Sequence, residues 1–378
     1  MDSRNGVIVI GGHVQGLGII RIFGKKNIPV VLLDTTKKNI ARYSKYCTTF
    51  HQYFDLLEQL EKFISQNRYF NWLLIPTHDS HIEVFSKNRE TLLKHFKVSV
   101  ASWDIIKKCF NKVHTYQIAQ KCLVPMPKTL FPNDENDLEK INIQFPCIIK
   151  PAVMHTFYKH FKTKVFVCKD IEDLVNKYRQ ALKVIPASEV IIQEIIEGSM
   201  EKQYSACFYY KNASSIVQLT ARRKRQHPID FGNATTYAET VEEPKLIEFA
   251  KKILNEIKFE GICEVEFKLD KNNEFRFLEI NPRTWKWHYI SEASGSPFLL
   301  SLYNDIYFNE PIISEIWKEA TWQHKLTDNV ILIKLFLSKM KREPSTKTKN
   351  HIYAVFDWSD LKPYIFERIF LFYLLKTR

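Results

Sequence analysis

The sequence predicts an α/β protein whose C-terminal half is α+β, and two stretches of the chain carry this prediction. Residues 7–34 read as an apolar strand, a glycine-containing turn, an apolar helix and a second strand ending at Asp34, the opening βαβ unit of a doubly wound sheet. Residues 264–281 alternate apolar and polar side chains in two runs that flank a polar turn, which is typical of an antiparallel hairpin.

Composition indicates a globular protein with more than one domain. The chain has 378 residues, of which 45% are hydrophobic, enough for two or three domains with buried cores. Seven cysteines without a C-x-x-C pair argue against a disulfide framework or a zinc ribbon and fit a reduced compartment. VIVIGG is too short for a signal peptide, and no run of 18 apolar residues occurs. We therefore expect a cytoplasmic protein without a membrane span.

The net charge of +13 favours an anionic ligand, but it does not distinguish ATP from nucleic acid or an anionic membrane surface. Lysines are scattered along the whole chain, and no RNA- or DNA-binding motif accompanies them. We therefore do not expect a nucleic-acid partner.

Two loops of the N-terminal half follow predicted strands. The first, GGHVQGLG, matches the dinucleotide fingerprint G-x-G-x-x-G imperfectly, so its glycines more often serve close packing or an anion at the helix N-terminus. The second, Pro76-Thr77-His78-Asp79, lies at the carboxyl end of a strand, where open α/β sheets bind ligands. His78 and Asp79 are candidate substrate contacts, with helix capping by Thr77 or Asp79 as the alternative.

Two later stretches supply positive charge. The short strand FPCIIKP delivers Lys150 at its end, where a lysine can meet a phosphate. The glycine-free segment 152–163 follows it as a loop, and its two histidines have no metal-ligand partner in sequence. In RRKRQHP (222–228), strand alternation would aim Arg223 and Arg225 the same way, as an anion clamp. A solvated face, a localisation signal or a nucleic-acid patch are the alternatives.

The hairpin at 264–281 gathers carboxylates. A two-residue loop, Asn272-Asn273, would set Glu266 opposite Glu279 and Glu264 opposite Asn281. Carboxylates about 5 Å apart across a strand pair repel. A shared proton, a basic side chain or a divalent cation must relieve them, and these oxygen ligands suit Mg²⁺ or Mn²⁺. The alternative is an exposed hairpin in which Lys268 neutralises the acids.

The order of these motifs resembles the ATP-grasp superfamily, and the opening VIVIGGHVQGLG resembles its pre-ATP-grasp domain. The motifs FPCIIKP, IIQEIIEG, RRKRQHP, GICEVEFKLD and FLEINPR are similar to carboligases related to the carbamoyl-phosphate synthase large chain and to D-aspartate ligase, over roughly residues 6–310. The resemblance implies a Rossmann-like first domain, a two-subdomain ATP-grasp fold and a C-terminal extension. The corresponding boundaries are 1–111, 112–190, 191–310 and 311–378.

The resemblance also implies site residues. It implies ATP and Mg²⁺ as cofactors, with two ions and Mn²⁺ as an alternative. The metal ligands would be Glu266, Glu279 and Asn281, and the catalytic residues would be Arg283 and Lys150. The nucleotide would be contacted by Lys112, Lys150, Lys164, the hinge residues Glu194, Ile195 and Ile196, and, at the ribose, Glu201 (or Gln203). The substrate would be contacted by His78, Asp79, Arg223, Arg225 and His288, and packing is the alternative role for His288.

The implied activity is that of an ATP-dependent carboxylate–amine ligase. Such an enzyme forms an amide or peptide bond through an acyl phosphate and releases ADP and phosphate. Its partners would be a small carboxylate and an amine of amino-acid or peptide type, and it could act as a homodimer. The alternatives are a single-module carboxylase-type enzyme acting on bicarbonate, and a regulator that binds ATP or nucleic acid without turnover.

The C-terminal stretch 364–375 is apolar apart from Glu367 and Arg368 and too short to span a bilayer. We expect a final helix buried against the main body, with a membrane-surface or oligomer contact as the alternative.

Overall fold

The N-terminal unit is a parallel sheet, as the opening βαβ pattern predicts. The computed structural model describes residues 5–198, 200–229, 234–338 and 348–371. The elements of the first unit are β1 (Val7–Ile10), α1 (Val14–Gly24), β2 (Val30–Asp34), β3 (Thr49–Gln52), α2 (Leu56–Ser65), β4 (Leu73–Pro76), α3 (Asp79–Lys87), α4 (Arg89–Leu93), β5 (Lys97–Val98) and α5 (Trp103–Phe110). The strand order β3–β2–β1–β4–β5 reverses direction between β1 and β4.

The first turn is glycine-rich because its backbone packs closely. Gly11 has φ +106°, and a Cβ on Gly16 would lie 1.9 Å from the Gly11 carbonyl oxygen. Asp34 accepts a hydrogen bond from the Gly12 N–H at 2.5 Å and so closes this turn. The contacts of the turn therefore favour close packing over a dinucleotide site.

A four-stranded antiparallel sheet, ordered β6–β9–β7–β8, follows. Its elements are α6 (Lys112–Lys121), β6 (Thr129–Leu130), β7 (Cys147–Pro151), α7 (Met154–Phe161), β8 (Phe166–Cys168), α8 (Ile171–Leu182) and β9 (Val190–Glu194). The prediction of a loop over 152–163 is wrong, because most of it forms α7. The buried Phe157 anchors this helix against Phe161 and Phe166, with ring centroids 4.8 and 5.0 Å apart.

The rest of the chain builds a seven-stranded sheet in the order β14–β13–β10–β11–β12–β15–β16. One face packs against α9, and the other against the N-terminal unit and α11, which gives two separate cores. The elements are β10 (Gln203–Lys211), β11 (Ser214–His227), β12 (Ala234–Thr240), α9 (Pro244–Ile257), β13 (Gly261–Leu269), β14 (Phe275–Asn281), α10 (Ile290–Ser294), α11 (Phe298–Phe308), β15 (Thr321–Gln323), α12 (Lys325–Leu337), β16 (His351–Tyr353) and α13 (Lys362–Ile369).

The hairpin β13–β14 has the predicted register at its functional end, by a route that differs from the prediction. Glu266 pairs with Glu279 and Glu264 with Asn281. The two-residue loop is wrong, because Leu269 pairs with Phe275 and five residues form the turn. Asp270 holds this turn by accepting from the N–H groups of residues 272 and 274. A bulge at Leu278 then restores the register, and it leaves the Leu278 carbonyl free to accept from the Tyr116 hydroxyl at 2.8 Å.

The C-terminal segment adds strands to the seven-stranded sheet and packs against α1. Strands β15 and β16, which follow the predicted boundary at 310/311, extend the seven-stranded sheet. Strand β9, which the predicted boundary at 190/191 would divide, lies wholly in the four-stranded sheet. The domain boundaries therefore stay a prediction. The fully buried Arg21 of α1 donates to Asp360 Oδ2 at 3.0 Å and to the Val355 carbonyl at 2.8 Å. These contacts fix the segment against the first helix.

Helix α13 forms the final helix expected at 364–375, as far as the described residues extend; residues 372–375 lie outside them. Its buried side differs from the expectation. Glu367 is buried and bonded to His324 Nε2 at 2.6 Å, whereas Ile365 and Ile369 are exposed. Among the described residues, no helix is long and apolar enough to cross a membrane. All seven cysteines are thiols, as predicted.

Candidate functional site

The two facing carboxylates of the hairpin form the centre of the site, and basic side chains from other elements compensate them. Glu266 accepts from Gln203 Nε2 at 2.6 Å and from Arg223 Nη2 at 3.3 Å. Glu279 pairs with Lys112 Nζ at 3.0 Å. The alternative in which Lys268 neutralises the acids is wrong, because its ammonium group donates to the Ile196 carbonyl at 2.8 Å.

This charge distribution shifts the titration of the pair. The charge of Lys112 lowers the pKa of Glu279 to about 2, against the opposing effect of burial. Burial lowers the pKa of Lys112, but Glu279 outweighs it, and the pKa of Lys112 is raised. Both groups are therefore charged at neutral pH, and Glu279, with 37% of its side chain exposed, can reach a ligand.

Lys150 occupies a second position in the same site. It is 8% exposed and donates to the Tyr116 hydroxyl and to Gln193 Oε1, both at 2.7 Å. Burial, followed by the charge of Lys112, lowers the pKa of Lys150 to about 7. Tyr116 donates its own proton to the carbonyl of Leu278 in the bulge of the hairpin. The bulge therefore orients the hydroxyl oxygen that accepts the hydrogen bond from Lys150.

Sequence reasoning did not single out Tyr116 and Gln193. Tyr116 follows Lys112 by one helical turn and so lies on the same helix face, a spacing that could have indicated it. Gln193 is a lone amide in the apolar run VIIQ of β9, another usable signal.

Asn281 and Arg283 connect the hairpin to the N-terminal unit. Asn281 Nδ2 donates to Glu266 Oε1 at 3.0 Å and to Glu264 Oε2 at 3.1 Å. Arg283 Nε donates to Asp79 Oδ1 at 2.5 Å, and its Nη2 to Asn281 Oδ1 at 3.4 Å. Burial lowers the pKa of Arg283, yet Asp79 outweighs it, so the guanidinium stays charged.

His78 and Asp79 lie at the start of α3, at the point where the strand order of the parallel sheet reverses. Both are exposed. The N-cap position of this helix is His78, which makes no side-chain capping hydrogen bond, and the Thr77 hydroxyl donates to the Ile10 carbonyl at 2.6 Å. The His78 ring lies 4.6 Å from that of His13. This crevice faces Arg283, so these predicted contacts and the carboxylate pair border one region.

The two predicted clamp arginines diverge. The register of β11 shifts between Arg223 and Arg225, so simple alternation fails and the expectation that both aim the same way is wrong. Arg223 contacts Glu266, whereas Arg225 donates twice to Asp328 of α12, at 2.7 and 2.8 Å, and stacks over Tyr237. The Arg225–Asp328 pair is almost fully buried, which gives Arg225 a structural partner away from the carboxylates.

The remaining predicted residues are dispersed around the site. Burial lowers the pKa of Lys164, partly offset by the charges of Glu279 and Glu266, which places this lysine near the carboxylates. Glu194 ends β9, Ile195 and Ile196 follow it, and Glu201 lies in a short 3₁₀ turn before β10. His288 is 3% exposed, donates from Nδ1 to the Trp285 carbonyl at 2.8 Å and abuts Gly18 of α1. These contacts favour packing for His288.

Among the described residues, no three histidine, cysteine, aspartate or glutamate side chains form a metal cluster. The candidate ligand set therefore rests on Glu266, Glu279 and the amide of Asn281.

A parallel-sheet unit followed by an antiparallel and a mainly antiparallel sheet, with lysines and facing carboxylates at their junction, defines an ATP-grasp protein. The chain belongs to the family described as carbamoyl-phosphate synthase L chain, ATP binding domain, which matches residues 111–302.

Curated relatives match part of their length. D-aspartate ligase of Enterococcus faecium (strain Aus0004) is 22% identical over 254 residues, covering 64% of this chain and 60% of that protein. Formate-dependent phosphoribosylglycinamide formyltransferase of Saccharolobus solfataricus is 25% identical over 206 residues, covering 52% and 50%. The chain thus spans half to three fifths of the curated relatives it matches.

Solved structures establish the fold over most of the chain. N5-carboxyaminoimidazole synthetase from Staphylococcus aureus has a TM-score of 0.64 at 17% identity and covers 92% of this chain and 94% of its own. The biotin carboxylase domain of Hydrogenobacter thermophilus 2-oxoglutarate carboxylase, solved with MgADP and bicarbonate, has a TM-score of 0.66 at 14% identity, covering 84% and 73%. L-amino acid ligase from Bacillus licheniformis has a TM-score of 0.61 at 14% identity, covering 84% and 79%.

Proposed function

We propose that the protein is an ATP-dependent carboxylate–amine ligase that forms an amide or peptide bond. The observation that carries this proposal is the pairing of Glu266 with Glu279 across the hairpin, beside Asn281 and within reach of Lys112. Such a carboxylate pair next to phosphate-binding cations is the arrangement that phosphoryl transfer needs. The similarity to D-aspartate ligase supports the amide-forming reaction.

The donor set fits Mg²⁺. Two carboxylates and an amide oxygen are hard ligands, and Lys112 and Arg223 compensate the charges of the two carboxylates in this structure. Bound at Glu266, Glu279 and Asn281, the ion would neutralise phosphate oxygens of the nucleotide. We propose two Mg²⁺ ions, with Mn²⁺ as a substitute of the same ligand preference.

The nucleotide would lie between the four-stranded sheet and the hairpin. Lys150 would meet its phosphates, since it is buried at the end of β7 and preoriented by Tyr116 and Gln193. The backbone of 194–196 would contact the adenine, and Glu201 would bind the ribose. Lys164, which follows α7, would cover the phosphates, because the segment 152–163 contains no glycine and cannot act as a glycine-rich loop.

The carboxylate substrate would bind between the hairpin and the crevice at His78 and Asp79. Arg283 spans this gap, so it can steady the transferred phosphoryl group. Arg223, already beside Glu266, would face the substrate carboxylate. Arg225 is assigned no substrate role because Asp328 occupies it.

The reaction follows from carboxylate chemistry. An amine does not attack a carboxylate at neutral pH, whereas transfer of the γ-phosphoryl group of ATP gives a mixed anhydride with phosphate as its leaving group. The amine nitrogen then forms the new C–N bond as the C–O bond to phosphate breaks. The acyl phosphate hydrolyses readily, so α7 and the strands around it must exclude water.

The test is ADP release by the purified protein with Mg–ATP and pools of carboxylates and amines. Release that requires both a carboxylate and an amine supports the proposal. Release that requires bicarbonate instead would identify a carboxylase-type enzyme, the class of the structural neighbour solved with that anion. Nucleotide binding without turnover in every pool would identify a regulator. Glu279→Gln is the control for contaminating ATPases.

A further inference from the structure

Glu264 is a buried carboxylate to which the proposed function assigns no role. It is 2% exposed and lies directly across the hairpin from Asn281. Its Oε1 accepts from Ser205 Oγ at 2.9 Å, and its Oε2 accepts from Asn281 Nδ2 at 3.1 Å. Both oxygens accept from protein donors, so the side chain is held in place between strands β10 and β14.

Glu264 is one of three side chains whose contacts set which way the Asn281 amide faces, together with Glu266 and Arg283. An amide has two N–H donors on one side and an accepting oxygen on the other. Here Nδ2 faces carboxylate oxygens of Glu264 and Glu266, whereas Oδ1 faces the guanidinium of Arg283. If the amide were rotated, its oxygen would lie against the buried Glu266 carboxylate and its N–H groups against the Arg283 guanidinium, so acceptor would face acceptor and donor would face donor.

We propose that Glu264 is a positioning residue that holds Asn281 with Oδ1 turned toward the bound metal. This inference rests on the proposed function, because it needs the ion at Asn281. Ser205 has the supporting role of fixing the far oxygen of Glu264. The arrangement is a chain of three side chains, Ser205–Glu264–Asn281, that crosses strands β10, β13 and β14 beneath the metal ligands.

The experiment measures Mn²⁺ binding in the presence of ADP, from the electron paramagnetic resonance signal of free Mn²⁺. Glu264→Met keeps the length of the side chain but removes the acceptor, and we expect it to weaken Mn²⁺ affinity by about 10-fold or more, as is usual for a group that orients a ligand. Glu264→Gln keeps an acceptor for Asn281, so its affinity should stay near wild type. Glu274→Met, in the exposed turn of the same hairpin, is the matched control.

A double-mutant cycle makes the test specific. Because Glu264 acts through Asn281, the effect of Glu264→Met should vanish in the Asn281→Ala background. Ser205→Ala, a smaller change that preserves the fold if the methionine variant is unstable, should weaken affinity in the same direction but less.

Three outcomes would overturn the inference. Wild-type affinity in Glu264→Met and Ser205→Ala would make Glu264 a packing residue. Equal loss in the Gln and Met variants would mean that its charge matters and its acceptor geometry does not. Additive effects in the cycle would mean that it does not act through Asn281. If the wild-type protein does not bind Mn²⁺ in the presence of ADP, the proposed metal site itself is wrong. The titration of the wild-type protein alone distinguishes this result from the three outcomes above, which are read from the variants.

Discussion

The hairpin β13–β14 and the end of strand β11 both concentrate charge, but they handle it in opposite ways. The hairpin keeps strict alternation near its functional end, so Glu264, Glu266 and Glu279 share a face. The run at 222–225 is broken by a register shift, and its four cations separate. Arg222 and Lys224 pair with Glu239, whereas Arg223 and Arg225 have partners on different elements. The acids of the hairpin stay together on one face, which favours a shared ligand, whereas the cations of the basic run are divided among Glu239, Glu266 and Asp328, which favours a structural role for Arg225.

Glu279→Gln tests whether the acids of the hairpin bind a ligand, and it has the largest expected effect. The change removes charge without volume, and losing a carboxylate ligand costs several kcal/mol of transition-state stabilisation, roughly 10³-fold in kcat. Turnover with Mg–ATP and the melting curve are the measurements, with Glu274→Gln as the control in the same hairpin. Full activity of the Glu279 variant would contradict the metal assignment.

Arg225→Leu tests whether Arg225, in the basic run at 222–225, has a structural role through its pair with Asp328. It leaves the buried Asp328 without its cation, which typically costs about 3–5 kcal/mol of unfolding free energy. Urea unfolding measures this loss, and the double variant Arg225→Leu with Asp328→Leu should recover much of it. A fully stable single variant with impaired turnover would instead return Arg225 to the substrate site.

Arg223→Gln sharpens the contrast with Arg225. Without Arg223, Glu266 loses a buried partner, and a bound metal can replace that charge. We expect Mg–ADP to stabilise this variant by about 1 kcal/mol more than it stabilises wild type, a coupling typical of contacting groups. Thermal unfolding with and without Mg–ADP tests this. Arg225→Leu serves as the comparison, because its gain from Mg–ADP should equal that of wild type.

The lowered pKa of Lys150 predicts a dependence of stability on pH. Its pKa is about 7 when folded and about 10.4 when unfolded, so the unfolded chain binds more protons between these values. The sign is therefore that stability rises with pH from 7 toward 10, relative to Lys150→Met, by at most about 1.4 kcal/mol per pH unit. Denaturant unfolding at pH 7, 8 and 9 measures this difference. A parallel pH profile in both proteins would contradict the lowered pKa.

The sequence allowed the parallel sheet, the hairpin and the pairing of Glu266 with Glu279 to be predicted, because side-chain alternation and strand order are local signals. It did not reveal the compensating bulge at Leu278, because the expected two-residue loop gives the same pairing at the acids. Helix α7 was missed because a loop was expected from its position, although its aromatic spacing suits a helix. The ion pair of Arg225 could not be predicted, because its partner Asp328 is 103 residues away in sequence and becomes its neighbour only through tertiary packing.

The buried pair of Arg21 and Asp360 bears on how the chain folds as it is synthesised. The two residues are 339 positions apart, and Arg21 is fully buried in the finished protein. At typical translation speeds that distance takes roughly 20 to 70 s. We expect released chains truncated before residue 355 to be cleaved readily by protease around α1, and chains that include residues 355–365 to resist. Until residues 355–360 have been made, the first helix would carry the Arg21 cation without the partners that bury it in the folded protein.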